Sequence, residues 1–146
     1  MSYLWIKSIK MRRRKAAGLF EEQFRLEKIS TLKDPLEKLN SYISWEQFRP
    51  LIDQAFPVTD PRKGGRPPFD RVMLFKVLVL QRMYNLSDDA TEYQILDRHS
   101  FCRFLGINSY EDVPDAKTIW YYREQLKEHE VIHEIFSLFT DKLQNA

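Results

Sequence analysis

Residues 69–126 have the sequence FDRVMLFKVLVLQRMYNLSDDATEYQILDRHSFCRFLGINSYEDVPDAKTIWYYREQL, and this stretch decides the fold. Residues 72–83 are apolar on nearly every side of a helix, which is typical of a helix buried at the centre of a domain. Asp70 stands where a helix N-cap is expected, and Asn85 suits the left-handed position that closes a helix. The pattern therefore predicts one central core helix between Asp70 and Asn85.

Three further helices are predicted after the central one. The first has Ser87 as its N-cap, the second begins near Ser100 and stops at Gly106, and the third follows a cap at Asp115. The buried side of the first is expected to consist of Ala90, Tyr93, Ile95 and Leu96. The apolar stripe of the third is expected to consist of Ala116, Ile119, Tyr122 or Arg123, and Leu126.

The remaining parts of the chain are also helical by pattern. Asp34-Pro35 is a helix-start signal, and residues 44–47, Ser-Trp-Glu-Gln, match a capping box for a helix that Pro57 ends. A final amphipathic helix is predicted from about Val131. Because no segment alternates between apolar and polar residues as a strand would, we predict an all-α protein, a multi-helix bundle.

The predicted organisation is one helical domain with a basic arm. Residues 1–30 form the arm, and residues 1–20 contain several lysines and arginines but no acid. Residues 31–146 form the helical domain, in which the Pro- and Gly-rich residues 57–69 are a linker. A second basic run, Arg62, Lys63 and Arg66, lies within this linker.

Composition limits the classes of protein to consider. Apolar residues make up 43% of the 146 residues, which is enough for a folded core, and the net charge is only +2. The single cysteine, Cys102, has no internal disulfide partner, which favours a reducing compartment, and we expect the cytoplasm. No window approaches the roughly 20 apolar residues that span a bilayer, so we expect no membrane partner.

The helices after the central one favour a helix-turn-helix-like unit that binds DNA. In such units the N-terminal residues of the second helix contact base edges in the major groove. Lys117, Thr118 and Tyr121 lie away from the apolar stripe and are the predicted base readers, with Arg123 near the phosphates. The Gly-Arg-Pro around Arg66, with its basic neighbours, suits a narrow minor groove. An ordinary surface helix and a solvated, Pro-stiffened linker are the alternatives.

Residues 129–133, His-Glu-Val-Ile-His, match the zinc-hydrolase motif H-E-x-x-H. That motif places two imidazoles one helical turn apart, with a glutamate as general base, and a catalytic zinc needs a third protein ligand. The sequence shows no signal for a third ligand, so we expect two partly exposed histidines on an amphipathic helix. The carboxylates are scattered, and no glycine-rich phosphate loop is present.

Three motifs in this order resemble the N-terminal domain of IS5-family insertion-sequence transposases. They are NLSDDATEYQILDR at residues 85–98, SFCRFLG at 100–106 and VPDAKTIW at 113–120. The resemblance covers roughly residues 32–146. It implies a protein that binds double-stranded DNA at the terminal inverted repeats of an insertion sequence. Where relatives tend to have a basic residue after the tryptophan of the last helix, this chain has Tyr121.

In the family, a ribonuclease-H-like domain with an Asp-Asp-Glu triad and two divalent metals follows this region. No residue of this chain matches a triad position, so we expect no catalytic residue, no metal or other cofactor, and no cleavage by the chain alone. The chain looks like a transposase truncated before that domain. Possible protein partners are a second copy or an intact transposase, and the alternative function is a helical interaction module that pairs with and inhibits intact transposase.

Overall fold

In the computed structural model, the described residues are 20, 28, 31–32, 34–57 and 68–145. Within them, seven α-helices have defined bounds and no strand occurs, which confirms the prediction of an all-α fold. The helices are α1 (Pro35–Tyr42), α2 (Arg49–Asp53), α3 (Arg71–Tyr84), α4 (Asp88–Asp97), α5 (His99–Leu105), α6 (Ala116–Glu128) and α7 (Ile132–Gln144). Two 3₁₀ turns, Trp45–Phe48 and Tyr110–Asp112, complete this part of the chain. None of the helices described is both long and apolar enough to traverse a bilayer.

The central helix forms as predicted, with both of its expected caps. The Asp70 carboxylate accepts a hydrogen bond from the Met73 backbone N–H at 3.0 Å, and Asn85 takes the left-handed conformation with φ 51°. Between these caps, α3 is buried on most of its circumference, so it is the element around which the other helices pack.

An aromatic cluster joins α3 to the first 3₁₀ turn and to α7. Phe75 of α3 is fully buried, and its ring centroid lies 4.9 Å from that of Phe48 and 5.5 Å from that of Phe136. The rings of Trp45 and Phe139 lie about as close, at 6.0 and 6.1 Å. Edge and tilted ring pairs of this kind add to the apolar burial that holds the three elements together.

The predicted capping box at residues 44–47 is wrong. The Ser44 side chain makes no capping hydrogen bond, and Trp45–Phe48 is a 3₁₀ turn that leads directly into α2. In a 3₁₀ turn, residues i and i+3 lie on the same side, so this geometry buries Trp45 and Phe48 together. Burial of two large rings, which a local capping pattern does not include, decides the backbone here.

The C-terminal end of α5 is held by side chains from two other helices. The Phe104 carbonyl oxygen accepts hydrogen bonds from the Asn40 amide at 3.1 Å and from the Lys76 ammonium at 2.9 Å. Asn40 also accepts a hydrogen bond from the Trp45 indole N–H at 2.8 Å. Burial lowers the pKa of Lys76. These bonds satisfy one of the free carbonyls of a helix end and fix α5 against α1 and α3.

Gly106 ends α5, as the sequence predicts, in the left-handed conformation with φ 75°. A Cβ added there would meet no atom within 4 Å, so the backbone conformation alone determines the effect of a side chain. We expect Gly106→Ala to lower the free energy of unfolding by about 1 kcal/mol, measured by urea denaturation. An unchanged urea midpoint would show that the left-handed closure of α5 is not needed.

Candidate nucleic-acid interface

The N-terminus of α6, the predicted reading helix, is already occupied by two carboxylates. Asp115 accepts a hydrogen bond from the Thr118 backbone N–H at 2.8 Å, and the hydrogen bonds to Thr118 lower the pKa of Asp115. Glu92 of α4 accepts a second hydrogen bond, from the Ala116 N–H, at 3.0 Å. A phosphate that approached the backbone N–H groups of this helix end would meet negative charge, so the predicted DNA contact of α6 depends on side chains and not on the helix terminus itself.

The predicted base readers form an accessible row on α6. Lys117 is exposed, Tyr121 is 55% exposed and Thr118 is partly buried. Lys117 and Tyr121 are four residues apart and therefore lie on one side of the helix. Ile119 and Leu126 are buried, as the predicted stripe requires. Lys117 and Tyr121 are thus available for binding, whereas the side chain of Thr118 is hydrogen-bonded to Asp115, and contact of all three with DNA stays a prediction.

Trp120, which is absent from the predicted site residues, is 52% exposed on the same helix. A tryptophan in an amphipathic helix is normally assigned to the core because of its apolar area. The spacing in the sequence indicated this exposure, because position 120 lies outside the apolar stripe defined by Ile119 and Leu126. An exposed indole beside Tyr121 gives this part of α6 a strongly aromatic surface.

Thr118 and Tyr121 open onto a cleft that also borders the predicted linker. The cleft has a volume of about 300 Å³, and Pro57 and Pro68 contribute to its wall. Residues 58–67 connect these two prolines, so the linker leaves the described helices and returns to them beside α6. Arg62, Lys63 and Arg66 lie outside the described residues, and their DNA contacts stay a prediction.

Arg71 holds the wall of this cleft. Its guanidinium forms an ion pair with Asp53 at 3.0 Å, donates to the Pro57 carbonyl at 3.3 Å and lies 4.8 Å from the centre of the Phe56 ring. The Arg71 carbonyl in turn accepts a hydrogen bond from the buried Tyr122 hydroxyl at 2.8 Å, and burial raises the pKa of Tyr122. The start of the linker is therefore attached to the buried side of α6.

Arg123, predicted to lie near the phosphates, forms a two-point ion pair within the fold, and its contact with DNA stays a prediction. Its two terminal nitrogens donate to the two carboxylate oxygens of Asp88 at 2.8 and 2.7 Å, and one of them also donates to the Gln81 amide oxygen at 3.1 Å. Two residues correspond to about 200° of helix rotation, so Arg123 faces away from Tyr121. The structure gives Arg123 the role of joining α6 to the start of α4 and to α3.

The Asp88–Arg123 pair makes stability depend on pH in acid. The hydrogen bonds from Arg123 hold the pKa of Asp88 below its ordinary value of 3.8. A carboxyl whose folded pKa is lowered adds stability above its unfolded pKa and loses it as the pH falls through the folded pKa. We expect Asp88→Asn to lower the free energy of unfolding by about 1–3 kcal/mol at pH 7, with the difference from wild type shrinking below about pH 3.8.

Asp89 offers the matched control for this prediction, because it is exposed in the same first turn of α4. Asp89→Asn removes the same charge from the same helix end without removing the partner of Arg123. Urea denaturation of both variants between pH 3 and pH 7 measures the effect. Equal losses for the two variants would contradict a specific contribution from the ion pair.

The buried side of α4 differs from the prediction. Ile95 is fully buried as predicted, but Tyr93 and Leu96, also expected to be buried, are 64% and 54% exposed, and Thr91 is fully buried in their place. Thr91 is tolerated inside because its hydroxyl donates to the Ser87 carbonyl at 2.6 Å. Asp88, Thr91 and Ile95 follow one another at three- and four-residue spacing and therefore share the packed side of α4, which leaves Tyr93 and Leu96 on the surface.

The H-E-x-x-H match does not form the geometry of a zinc hydrolase. Residues 129–133 span the corner between α6 and α7, with His129 just after α6 and Glu130 in the left-handed conformation at φ 57°. The expected helix through both histidines is therefore broken, and the one-turn spacing of the two imidazoles is lost. In the part of the chain that the structure describes, no group of three His, Cys, Asp or Glu residues is arranged to hold a metal ion.

The connections between α4, α5 and α6 bear on the helix-turn-helix prediction. Arg98 alone separates α4 from α5, as expected for short helices in tandem. From α5 to α6 the chain runs from Gly106 to Asp115 and includes a 3₁₀ turn, which is longer than the usual turn of three or four residues. The unit thus keeps three consecutive helices but has a long connection before the predicted reading helix.

No solved structure matches this chain. A family model does match the part that contains these helices. The model of the transposase domain (DUF772) family matches residues 24–125, which is more than half of the chain and includes α1 to α5, most of α6, and Lys117, Thr118 and Tyr121. The chain belongs to the transposase domain (DUF772) family.

Proposed function

We propose that this chain is the DNA-binding part of an IS5-type transposase and recognises the terminal inverted repeats of an insertion sequence. Its role is transposase-related because of the family to which it belongs. The observation that carries the DNA-binding proposal is the accessible row of Lys117, Thr118 and Tyr121 on a helix that lies within the matched region.

The contacts that fix α6 to the rest of the fold support this proposal. Asp115 caps the helix, and Ile119 packs it on the core. Glu92 of α4 bonds to its first residue, and the Asp88–Arg123 pair joins it to α4 again two turns later. A reading helix has to be rigid, because side chains that are already oriented lose less entropy when they bind base edges. α6 would lie in the major groove as the second helix of a helix-turn-helix-like unit.

The distribution of positive charge assigns DNA binding to two parts of the chain. The row on α6 carries one cation, Lys117, which is too little for tight binding to a polyanion. The linker that begins and ends beside α6 adds Arg62, Lys63 and Arg66. We assign base reading to α6 and most of the phosphate or minor-groove contact to the linker.

The test is a gel-shift titration of the purified chain on the terminal repeats of its own element. A scrambled duplex of equal length and composition is the comparison, and the titration is repeated over a range of salt concentrations. We expect tighter binding to the repeats and a linear loss of log affinity with log salt. Equal affinity for both duplexes would reduce the proposal to general DNA affinity, and no binding would refute it.

We further propose that the chain does not cleave DNA by itself and uses no metal or other cofactor of its own, because no residue of it matches the Asp-Asp-Glu triad. Incubation of a supercoiled plasmid that carries the repeats, with Mg²⁺ or Mn²⁺, tests this. We expect no nicking above a buffer control, and nicking that follows the purified protein through chromatography would contradict the proposal.

A second candidate function is pairing with a second copy or with intact transposase, and an apolar groove favours it. The groove has a volume of about 300 Å³ between α1, α3 and α7, and Tyr42, Met83 and Leu143 each expose nearly half or more of their surface there. Exposed apolar clusters of this kind are common at protein interfaces. Co-purification with intact transposase, lost in a Met83→Glu variant, would support pairing, and monomers in both proteins would not.

A further inference from the structure

A second cleft lies on the side of α6 that faces away from Lys117 and Tyr121. It has a volume of about 440 Å³ and is bounded by the end of α3, the second half of α6 and the start of α7. Its lining residues comprise three cations, two amides and four apolar residues, and no carboxylate. The cations are Arg82, Arg123 and Lys127.

These cations differ in how far they are already neutralised. Arg123 has both terminal nitrogens on Asp88, and the pKa of Asp88 is also lowered by the nearby charge of Lys127. Lys127 meets Glu124 at 3.3 Å in a pair in which both side chains are well exposed, and such pairs contribute little and exchange easily. Within the described residues, Arg82 has no carboxylate partner, and its guanidinium carbon lies 3.8 Å from the centre of the Phe136 ring.

The Arg82–Phe136 contact matters because it orients the guanidinium. A guanidinium stacked on a ring face keeps its N–H groups at the edge, directed away from the ring, where they can grip two oxygens of one anion. Apolar residues, among them Ile132, line the cleft beside it, although Arg82 itself is exposed to solvent. A tetrahedral oxyanion fits this cleft, which combines the planar guanidinium of Arg82 with the flexible ammonium of Lys127 and has no carboxylate in its lining.

We propose that this cleft binds a phosphate group, held by Arg82 and Lys127. The phosphate is either a backbone phosphate of DNA or free inorganic phosphate. Because the cleft faces away from the reading row on α6, the site would take a phosphate other than those beside the bases that α6 reads. The site stands independently of the proposed function, since free phosphate needs no transposon end.

The test uses the full chain, the double variant Arg82→Gln/Lys127→Gln, and a control that removes a cation elsewhere, Lys142→Gln on the exposed end of α7. Circular dichroism first establishes that all three proteins are folded. Inorganic phosphate is then titrated against chloride at constant ionic strength, with two-dimensional NMR of arginine and backbone N–H groups as the readout. We expect saturable shifts in wild type and in Lys142→Gln, and none in the double variant.

The salt dependence of binding to duplex DNA separates the two sources of phosphate. If a DNA backbone phosphate occupies the cleft, the slope of log affinity against log salt falls by about 1 in the double variant, because one phosphate contact is lost, and stays constant in Lys142→Gln. If only free phosphate binds, the NMR shifts appear and the slope does not change. The proposal would be overturned if wild type showed no saturable shifts, or if the double variant kept both the shifts and the salt slope of wild type. A chain that binds phosphate but no DNA would refute only the proposed function.

Discussion

Replacing Phe75 with alanine is expected to lower the free energy of unfolding by about 3–5 kcal/mol, the largest effect of any single change considered for this protein. Phe75 is fully buried in α3 and its ring meets four other aromatic rings, from the first 3₁₀ turn and from α7. Alanine removes the apolar surface of the ring and leaves a cavity that these rings cannot close without moving. Urea denaturation followed by circular dichroism measures the loss.

Phe20→Ala is the control for this prediction, because it deletes the same ring from a side chain that is 58% exposed. We expect it to change stability by less than about 0.5 kcal/mol. The proposed architecture would be contradicted if the two variants unfolded at the same urea concentration. Such a result would mean that α3 is not the centre around which the 3₁₀ turn and α7 pack.

Replacing Lys117 and Tyr121 together with alanine is expected to weaken binding to the terminal repeats by tens-fold to several hundred-fold, with little change in stability. The estimate follows from about 1–3 kcal/mol for a good base contact and a smaller amount for a phosphate contact. Both side chains are exposed, so their loss leaves the core intact. The preference for the repeats over scrambled DNA should fall, and the salt slope should fall by about 1 if Lys117 contacts a phosphate.

A matched control takes its charge and its ring from other surfaces, because Lys142 of α7 and Tyr110 of the second 3₁₀ turn are both exposed. Lys142→Ala/Tyr110→Ala therefore removes the same charge and the same kind of ring without changing α6. We expect this variant to keep nearly full affinity for the repeats in the gel-shift titration. Equal weakening by the two double variants would show that α6 is not the reading helix and that binding depends only on total charge.

Several helix ends could be read from local chemistry alone. Asp70, Ser87 and Asp115 accept the backbone hydrogen bonds expected of N-caps, and Asn85 and Gly106 adopt the left-handed conformation expected of helix closures. Each of these features involves residues within a few positions of one another, so the sequence is sufficient to specify it. The resemblance to a transposase domain depended on three motifs in that same region and is confirmed by the family match.

The errors occurred where a partner distant in sequence decides the outcome. Tyr93 and Leu96 are exposed because Thr91 and Ile95 occupy the packed side of α4, on which Asp88 also meets Arg123, 35 positions away. Periodicity indicates that a helix has an apolar side, but on α4 the apolar residues are too evenly spread to define it. The failed capping box at Ser44 has a similar cause, since the burial of Trp45 against α3 and α7 outweighs a local hydrogen bond.

The sequence by itself determined that this protein is all-α, that its central helix runs between Asp70 and Asn85, and that it is related to transposases. Only the tertiary structure decided that Arg123 is held by Asp88, that the H-E-x-x-H residues lie at a helix corner, and that Thr118 and Tyr121 share a cleft with Pro57 and Pro68. The physical reason is the distance along the chain over which each kind of interaction acts. Caps and periodicity act within one or two turns of a helix, whereas ion pairs, clefts and surfaces arise when distant segments pack together.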